Sequence, residues 1–443
     1  MRDIALALFI FGMIPYILTR PYVGLLVWSW LGYMNPHRLC YGFAISFPWV
    51  QLVALITLVS LAFSKESKRI PRSSIIMLLV MFFAWTTVTT LFAVETASAW
   101  KWWEQFGKIL IMVWVTLMLV RDRQRMHLLV WVIVISLGFY GLKGGIFTVL
   151  KGGAYHIYGP AGSFIADNND LAQALCMTLP LMRYLQLQSQ SKRLRIALML
   201  AMVLTGIAIL GTYSRGGLIA LAVVSSILFL KSRGRIGVVI VVAILGMTAY
   251  HFMPVQWTQR MGTLHNAEQT NSFETRAQSW EFATNVALHS PIVGGGFNIY
   301  QSHEMWRQYG PEGAEPRAVH SIYFRVLGEQ GFPGLALFLA LLFTSWRSCS
   351  RVRKKTQDSL EQRWAYDLGS MAQVSLLAFM TAGLATTSSY FDLSYQLIAI
   401  CALLPFIIEN DSAKSVVNKR AKTRSRMFLS DKRFSQINIK NAN

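Results

Sequence analysis

His320 ends the chain's long polar segment (about residues 254–317) and opens an apolar helix, in the run AVHSIYFRVLGEQGFPGLALFLALLF. An imidazole at such a boundary titrates near neutral pH and can accept a proton from a hydroxyl. The plainer alternative is an interfacial histidine that only anchors a helix end. Arg215, in GTYSRGGLIAL, falls at the mouth of another apolar helix. An arginine there is costly unless it snorkels or meets an anion. Gly216 and Gly217 follow it and are expected to leave backbone N–H groups accessible near a helix N-terminus, a good seat for phosphate. Arg276, one turn before Trp280, carries a planar guanidinium suited to clamping a diphosphate. A solvated arginine beside Glu274 is the commoner case. Asn168, Asn169 and Asp170, in GPAGSFIADNNDLAQAL, either cap a helix or hydrogen-bond a sugar or phosphate. Arg325 and Glu329 stand four residues apart and are expected to pair with each other. Arg38 and Glu104 are weaker candidates.

A histidine base with arginines facing an anionic leaving group suits transfer from a diphosphate-activated donor. Such a leaving group needs its charge neutralised more than it needs an acid. The chain has no DxD pair in an outer loop, no HExxH and no Walker A motif, so nothing implies a metal or nucleotide cofactor.

These residues must be positioned by apolar helices. The 443 residues are 54% hydrophobic and 14% charged, against about 25% charged in a soluble domain. Runs such as IIMLLVMFFAWTTVTTLF (75–92) and IGVVIVVAILGMTAYHF (236–252) approach the ~20 residues of a bilayer-spanning helix. The expected fold is an all-α polytopic membrane protein, not a soluble globule or an outer-membrane barrel. The four cysteines (Cys40, Cys176, Cys349, Cys401) are scattered and read as small apolar fillers. No cleavable signal peptide is apparent.

The net charge of +21 invites a nucleic-acid reading, but the basic residues lie in alternate loops. Clusters at 65–72, 121–125, 192–195, 231–235, 347–355 and the tail 414–440 follow the positive-inside rule and are expected to be cytoplasmic. The tail could also touch anionic lipid. Spans are predicted near 48–63, 73–92, 101–120, 127–149, 165–187, 194–212, 216–231, 236–253, 318–346, 366–386 and 391–408. Residues 3–34 form one broken crossing or two short ones, and about twelve crossings with both termini cytoplasmic are expected. The outer face then holds 35–47, 94–99, 150–164, 212–215, 254–317 and 387–392, where the candidate residues collect. Four regions follow: helices in 1–253, a loop subdomain 254–317, helices in 318–408 and a basic tail 409–443. Within the loop, SFETRAQSWEFATNVAL reads as a helix capped at Ser272, followed by a Gly-rich turn, HSPIVGGGFNIY. Gly328, Gly331, Pro333 and Gly334 should bend the helix after His320.

The order of SRGG at an outer helix mouth, an Arg-bearing loop, HSPIVGGGF and VHSIYFRVLGEQGFPG resembles the O-antigen ligase/polymerase superfamily, over about residues 130–410. The start, MRDIALALFIFGMIPYILTRPYVGLLVWSWLGYMNPHR, looks like the subgroup of O-glycosylation ligases associated with exosortase systems. The resemblance implies a GT-C type glycosyltransferase of the bacterial inner membrane, acting on the periplasmic face. It implies metal-independent, inverting transfer of a glycan from undecaprenyl diphosphate to lipid A–core or to protein. The family's arginine in SRG matches Arg215, its loop arginine Arg276 and its loop-end histidine His320. Where many relatives have HN this chain has HS, at Ser321.

On this reading His320 deprotonates or orients the acceptor hydroxyl and Arg215 and Arg276 hold the diphosphate. Asn169 and Asp170 shape the pocket, with Ser321 and Arg38 as lesser contacts. The rivals are a glycan polymerase using the same donor and a lipid-linked sugar transporter. A transporter would place its polar residues at mid-membrane within repeated halves. No repeat is visible, and the candidates gather at one face.

Overall fold

The computed structural model describes residues 1–231, 240, 243–244, 246–247, 253–255, 257 and 271–412. Most of the crossing expected at 236–253, the first part of the long loop with Arg260, and the tail 414–440 lie outside the described residues. Every regular element that is described is helical. In chain order these are α1 (Arg2–Thr19), α2 (Pro21–Met34), α3 (Trp49–Phe63), α4 (Ser74–Leu91), α5 (Thr96–Leu119), α6 (Arg123–Leu150) and α7 (Asn168–Gln188). Then come α8 (Lys192–Gly211), α9 (Arg215–Lys231), α10 (Asn271–His289), α11 (His303–Tyr309), α12 (Ile322–Thr356), α13 (Arg363–Ala382) and α14 (Asp392–Ser412).

The boundaries have local causes. Ser73, Asp122 and Asp167 cap α4, α6 and α7 by accepting hydrogen bonds from Ile76 N (3.3 Å), Arg125 N (2.9 Å) and Asn169 N (2.8 Å). At the amino end Pro21 divides the apolar run. The residue before a proline is pushed out of the helical region, and Arg20 is extended at φ −139°, ψ 92°. Pro21 then starts α2 with a ready-made helical φ. Two short helices form, so the broken-crossing alternative for residues 3–34 is set aside.

Six described helices (α1, α4, α6, α8, α12 and α14) are long and apolar enough to cross a membrane. α1 is 17% buried over its apolar window and α14 is 83% buried, so α1 lies at the rim and α14 at the centre. Leu8, Phe9, Phe11, Phe63 and Phe343 face outward, which suits lipid and not water. This is a membrane protein.

The connecting segments sort to two ends. At one end the basic loops meet: Arg121 Nη2 donates to Arg69 O (2.6 Å), Arg125 pairs with Glu66 (2.5 Å), and Arg123 Nη2 donates to Gln188 Oε1 (3.3 Å). At the other end lie the segments that carry the candidate residues. Val94 N bonds Gly295 O (3.2 Å), Ile157 N bonds Gly211 O (3.0 Å), and Asn298 Nδ2 bonds Ser98 Oγ (2.7 Å). Asp3 Oδ1 accepts from Gly42 N (2.9 Å) and Ala44 N (3.1 Å), which holds the start of α1 at the candidate end. This overturns the expectation of an amino terminus on the basic side. The extra turn at Arg20–Pro21 reverses the direction of α1.

Residues 271–320 form a small unit with its own core, in which Phe282 stacks on Trp306 (4.4 Å). α10 starts at Asn271, so Ser272 lies inside it and not at its cap. The Gly-rich turn clasps α12 where that helix is broken. Gly295 N and Gly296 N donate to Gly328 O (2.9 Å) and Glu329 O (3.0 Å), and Phe332 N donates to Pro291 O (2.9 Å). Gly331 makes the break possible at φ 67°, and a Cβ there would sit 2.2 Å from Ile292 O. Gly331→Ala is therefore expected to cost about 1–3 kcal/mol or more. Thermal denaturation of the purified protein in detergent checks this, and an unchanged Tm would refute it.

Candidate active site

Three turns converge at the candidate end. The first is the start of α7. Asn168 Nδ2 donates to Thr212 O (2.7 Å) and Asn169 Oδ1 accepts from Ser214 Oγ (2.7 Å). These bonds fasten α7 to the α8–α9 turn and so place Arg215, the first residue of α9. Ser214 Oγ in turn accepts from Gly217 N (3.0 Å) and caps α9. The N–H of Gly217 is therefore taken by the cap. A Cβ on Gly216 would meet Ala385 Cβ at 2.6 Å, and one on Gly217 would meet Ala172 Cβ at 2.6 Å. They are small so that α9 can pack tightly.

The second is the junction from the loop into α12. Trp280 of α10 donates its indole N–H to Val319 O (3.0 Å) and stacks on Phe324 (5.3 Å). These contacts pin the backbone on either side of His320 and bring Arg276, one helical turn before Trp280, to the same place. His320 is half-buried and takes φ +48°, unusual for a non-glycine residue. Tyr213 (φ 59°), two residues before Arg215, and Asn298 (φ 64°), whose N–H is held by Glu329, share this strain. Such strain persists only where neighbours enforce it, and it collects at functional sites. Burial lowers the His320 pKa below its ordinary value; the Arg276 guanidinium adds to this and the Asp167 carboxylate opposes it. His320 thus lies within electrostatic reach of both Arg276 on α10 and Asp167 at the cap of α7.

The third is the 386–390 turn, and around it sits a buried polar cluster. Arg325 Nε pairs with Glu329 Oε1 (3.1 Å) and Nη1 donates to Thr387 O (2.5 Å). Nη2 has no partner. Trp102, Tyr300 and Tyr390 box the guanidinium at 4.8, 5.4 and 5.0 Å. Asp170, in the first turn of α7, lies against Ser388 and in the field of Arg325. Gln173 accepts from Thr386 Oγ1 (3.0 Å) and from Ser388.

The structure thus brings Arg215, Asn169, Asp170, Arg276, His320 and Ser321 to one region. Ser321 is buried at the N-cap of α12. Arg38 lies farther out, its Nη1 3.2 Å from where a Cβ on Gly162 would be. Glu104 pairs with Lys108 in an exposed contact (2.5 Å) and plays no part here. Sequence reasoning missed Trp102, Gln173, Tyr300, Ser388 and Tyr390. The one available signal was the polar run TTSSY between two apolar helices.

Residues 200–339 match the O-antigen ligase family model, Wzy_C. That O-antigen ligase segment holds Arg215, Arg276, His320, Arg325 and Glu329. Residues 1–190 match a family of unknown function, DUF5935, and hold Arg38, Asn169 and Asp170. The cluster is therefore assembled across the two matched segments, with Ser214 and Asn169 as the hydrogen-bonded joint. The O-antigen ligase match supports glycan transfer of a ligase or polymerase type by this membrane protein. Comparison with curated proteins gives no match.

Proposed function

We propose that the protein transfers a glycan from undecaprenyl diphosphate to an acceptor hydroxyl on lipid A–core or on protein. It does so at the periplasmic face of a bacterial inner membrane, in a GT-C type scaffold of about thirteen crossings, one more than the sequence suggested, because α1 starts at the candidate end. The observation that carries this reading is the left-handed backbone of His320 within electrostatic reach of Arg276 and of Asp167, whose helix start is bonded to the turn that holds Arg215. His320 accepts the acceptor's proton, and the freed oxygen attacks the anomeric carbon. The bond to the diphosphate oxygen breaks, with inversion. Arg215 and Arg276 receive the charge that develops on the leaving diphosphate. No step calls for a metal.

Protein purified in detergent, with a polyprenyl-diphosphate glycan and either acceptor, is expected to form the glycosylated acceptor in one step. A lengthened lipid-linked chain would favour the polymerase. Transfer in detergent, where no gradient exists, excludes a transport-only role.

The base must be neutral to work, and burial holds the His320 pKa below its usual value of about 6.5. The transfer rate should therefore hold as pH falls from neutral through about 6.5, and decline only at lower pH, where the imidazole becomes protonated. A rate that rises on acidification would refute the base assignment.

A further inference from the structure

At the opposite, basic end a cavity of about 800 Å³ opens between the start of α4, the later part of α12 and the end of α14. This is the size of an ordinary small-ligand site. Four arginines line it: Arg69, Arg72, Arg121 and Arg351. Arg121 is fixed by its bonds to Met118 O (2.6 Å) and Arg69 O (2.6 Å), which also hold the 65–72 loop in place. Arg69, Arg72 and Arg351 are exposed and join no ion pair among the described residues. The one carboxylate on the wall, Glu409, is met by Lys355 Nζ at 3.4 Å. The N-terminus of α4, capped by Ser73, opens on the same space and adds the positive end of its dipole.

Like charges gathered around a hollow repel one another unless an anion sits among them. One side of the remaining wall is apolar, with Ile75, Pro405 and Phe406, and the rest carries hydroxyls such as Ser67, Ser74 and Ser348 that can donate to a phosphate. The helices that bound the cavity, α4, α12 and α14, are all long and apolar enough to cross a membrane, so it lies where helix ends meet the lipid surface. We propose that this cavity is a binding site for the phosphate headgroup of an anionic phospholipid, with its acyl chains along the apolar wall. Guanidinium forks suit a phosphate diester, and basic pockets between membrane helices take such headgroups. A free phosphate compound shares the headgroup chemistry but has no use for the apolar side.

Native mass spectrometry of the full-length protein in detergent tests this, with dioleoyl phosphatidylglycerol and dioleoyl phosphatidylcholine as probes. Phosphatidylglycerol should be retained preferentially. Each of Arg69→Gln, Arg72→Gln and Arg351→Gln should weaken its binding about fivefold, and the triple variant on the order of 100-fold. Lys192→Gln/Arg193→Gln, exposed at the same end, should leave it unchanged. Because the three arginines are exposed, the triple variant should keep the wild-type Tm in the absence of lipid. Equal retention of the two lipids would overturn the proposal. So would a triple variant that binds like the Lys192/Arg193 control, or full displacement by equimolar glycerol phosphate.

Discussion

His320→Ala is expected to lower glycan transfer by about 10²–10⁴-fold, the usual contribution of a positioned general base. Arg215→Ala and Arg276→Ala are each expected to lose about 10²–10³-fold, as when one preorganised charge contact is removed. The kinetic signatures should differ. On the proposed mechanism the arginines touch a group that is charged before and during reaction, so their loss should raise KM for the donor as well as lower kcat. On the same mechanism His320 meets the acceptor, so its loss should leave donor KM almost unchanged. The backbone at His320 sits at φ +48°, which alanine tolerates poorly. His320→Asn is the cleaner variant, because asparagine accepts left-handed geometry while lacking a basic nitrogen. Both variants should reach the membrane in normal amounts, since the imidazole is only half-buried. Full transfer by His320→Asn would end the assignment.

The helices and the sorting of their loops were legible because both rest on one-dimensional signals. Apolar run length sets a span, and the alternation of basic clusters sets which loops share an end. The pairing of Arg325 with Glu329 followed from four-residue spacing alone. What sequence could not supply was the purpose of each side chain once several elements met. Gly216 and Gly217 look like a phosphate seat in one dimension. In three they also form a packing face against Ala385 and Ala172, whose approach no spacing rule reveals. Asn169 reads as a cap or a sugar ligand, yet it bonds Ser214 across 45 residues of chain. The direction of α1 was misjudged for a related reason. Its flanks carry little charge bias, and Asp3 is held by backbone amides of a segment some forty residues away. The aromatic box around Arg325 draws on α5, the loop and the 386–390 turn, so none of its members announces the others.

Glu329→Ala should be the most destabilising single change in the described cluster. Glu329 is fully buried and accepts from Arg325 Nε (3.1 Å), Asn298 N (2.9 Å) and Tyr390 OH (2.8 Å). It ties α12 to the long loop and to the turn before α14. Removing it strands the Arg325 cation among aromatic rings with one carbonyl partner, and breaking a buried pair in this way costs about 3–5 kcal/mol. Asn298 N also loses its acceptor, which adds about 1–3 kcal/mol. A marked fall in Tm in detergent is the expected reading. The cost is that of an uncompensated charge and not of lost attraction, so a second substitution should relieve part of it. Arg325→Met/Glu329→Leu removes both charges at similar volume and is expected to melt above Glu329→Ala. If instead the double variant melts lower than Glu329→Ala, the stranded cation is not what destabilises the single variant. The Arg325 cation would then be stabilising its aromatic box without the carboxylate, through contacts with Trp102, Tyr300 and Tyr390.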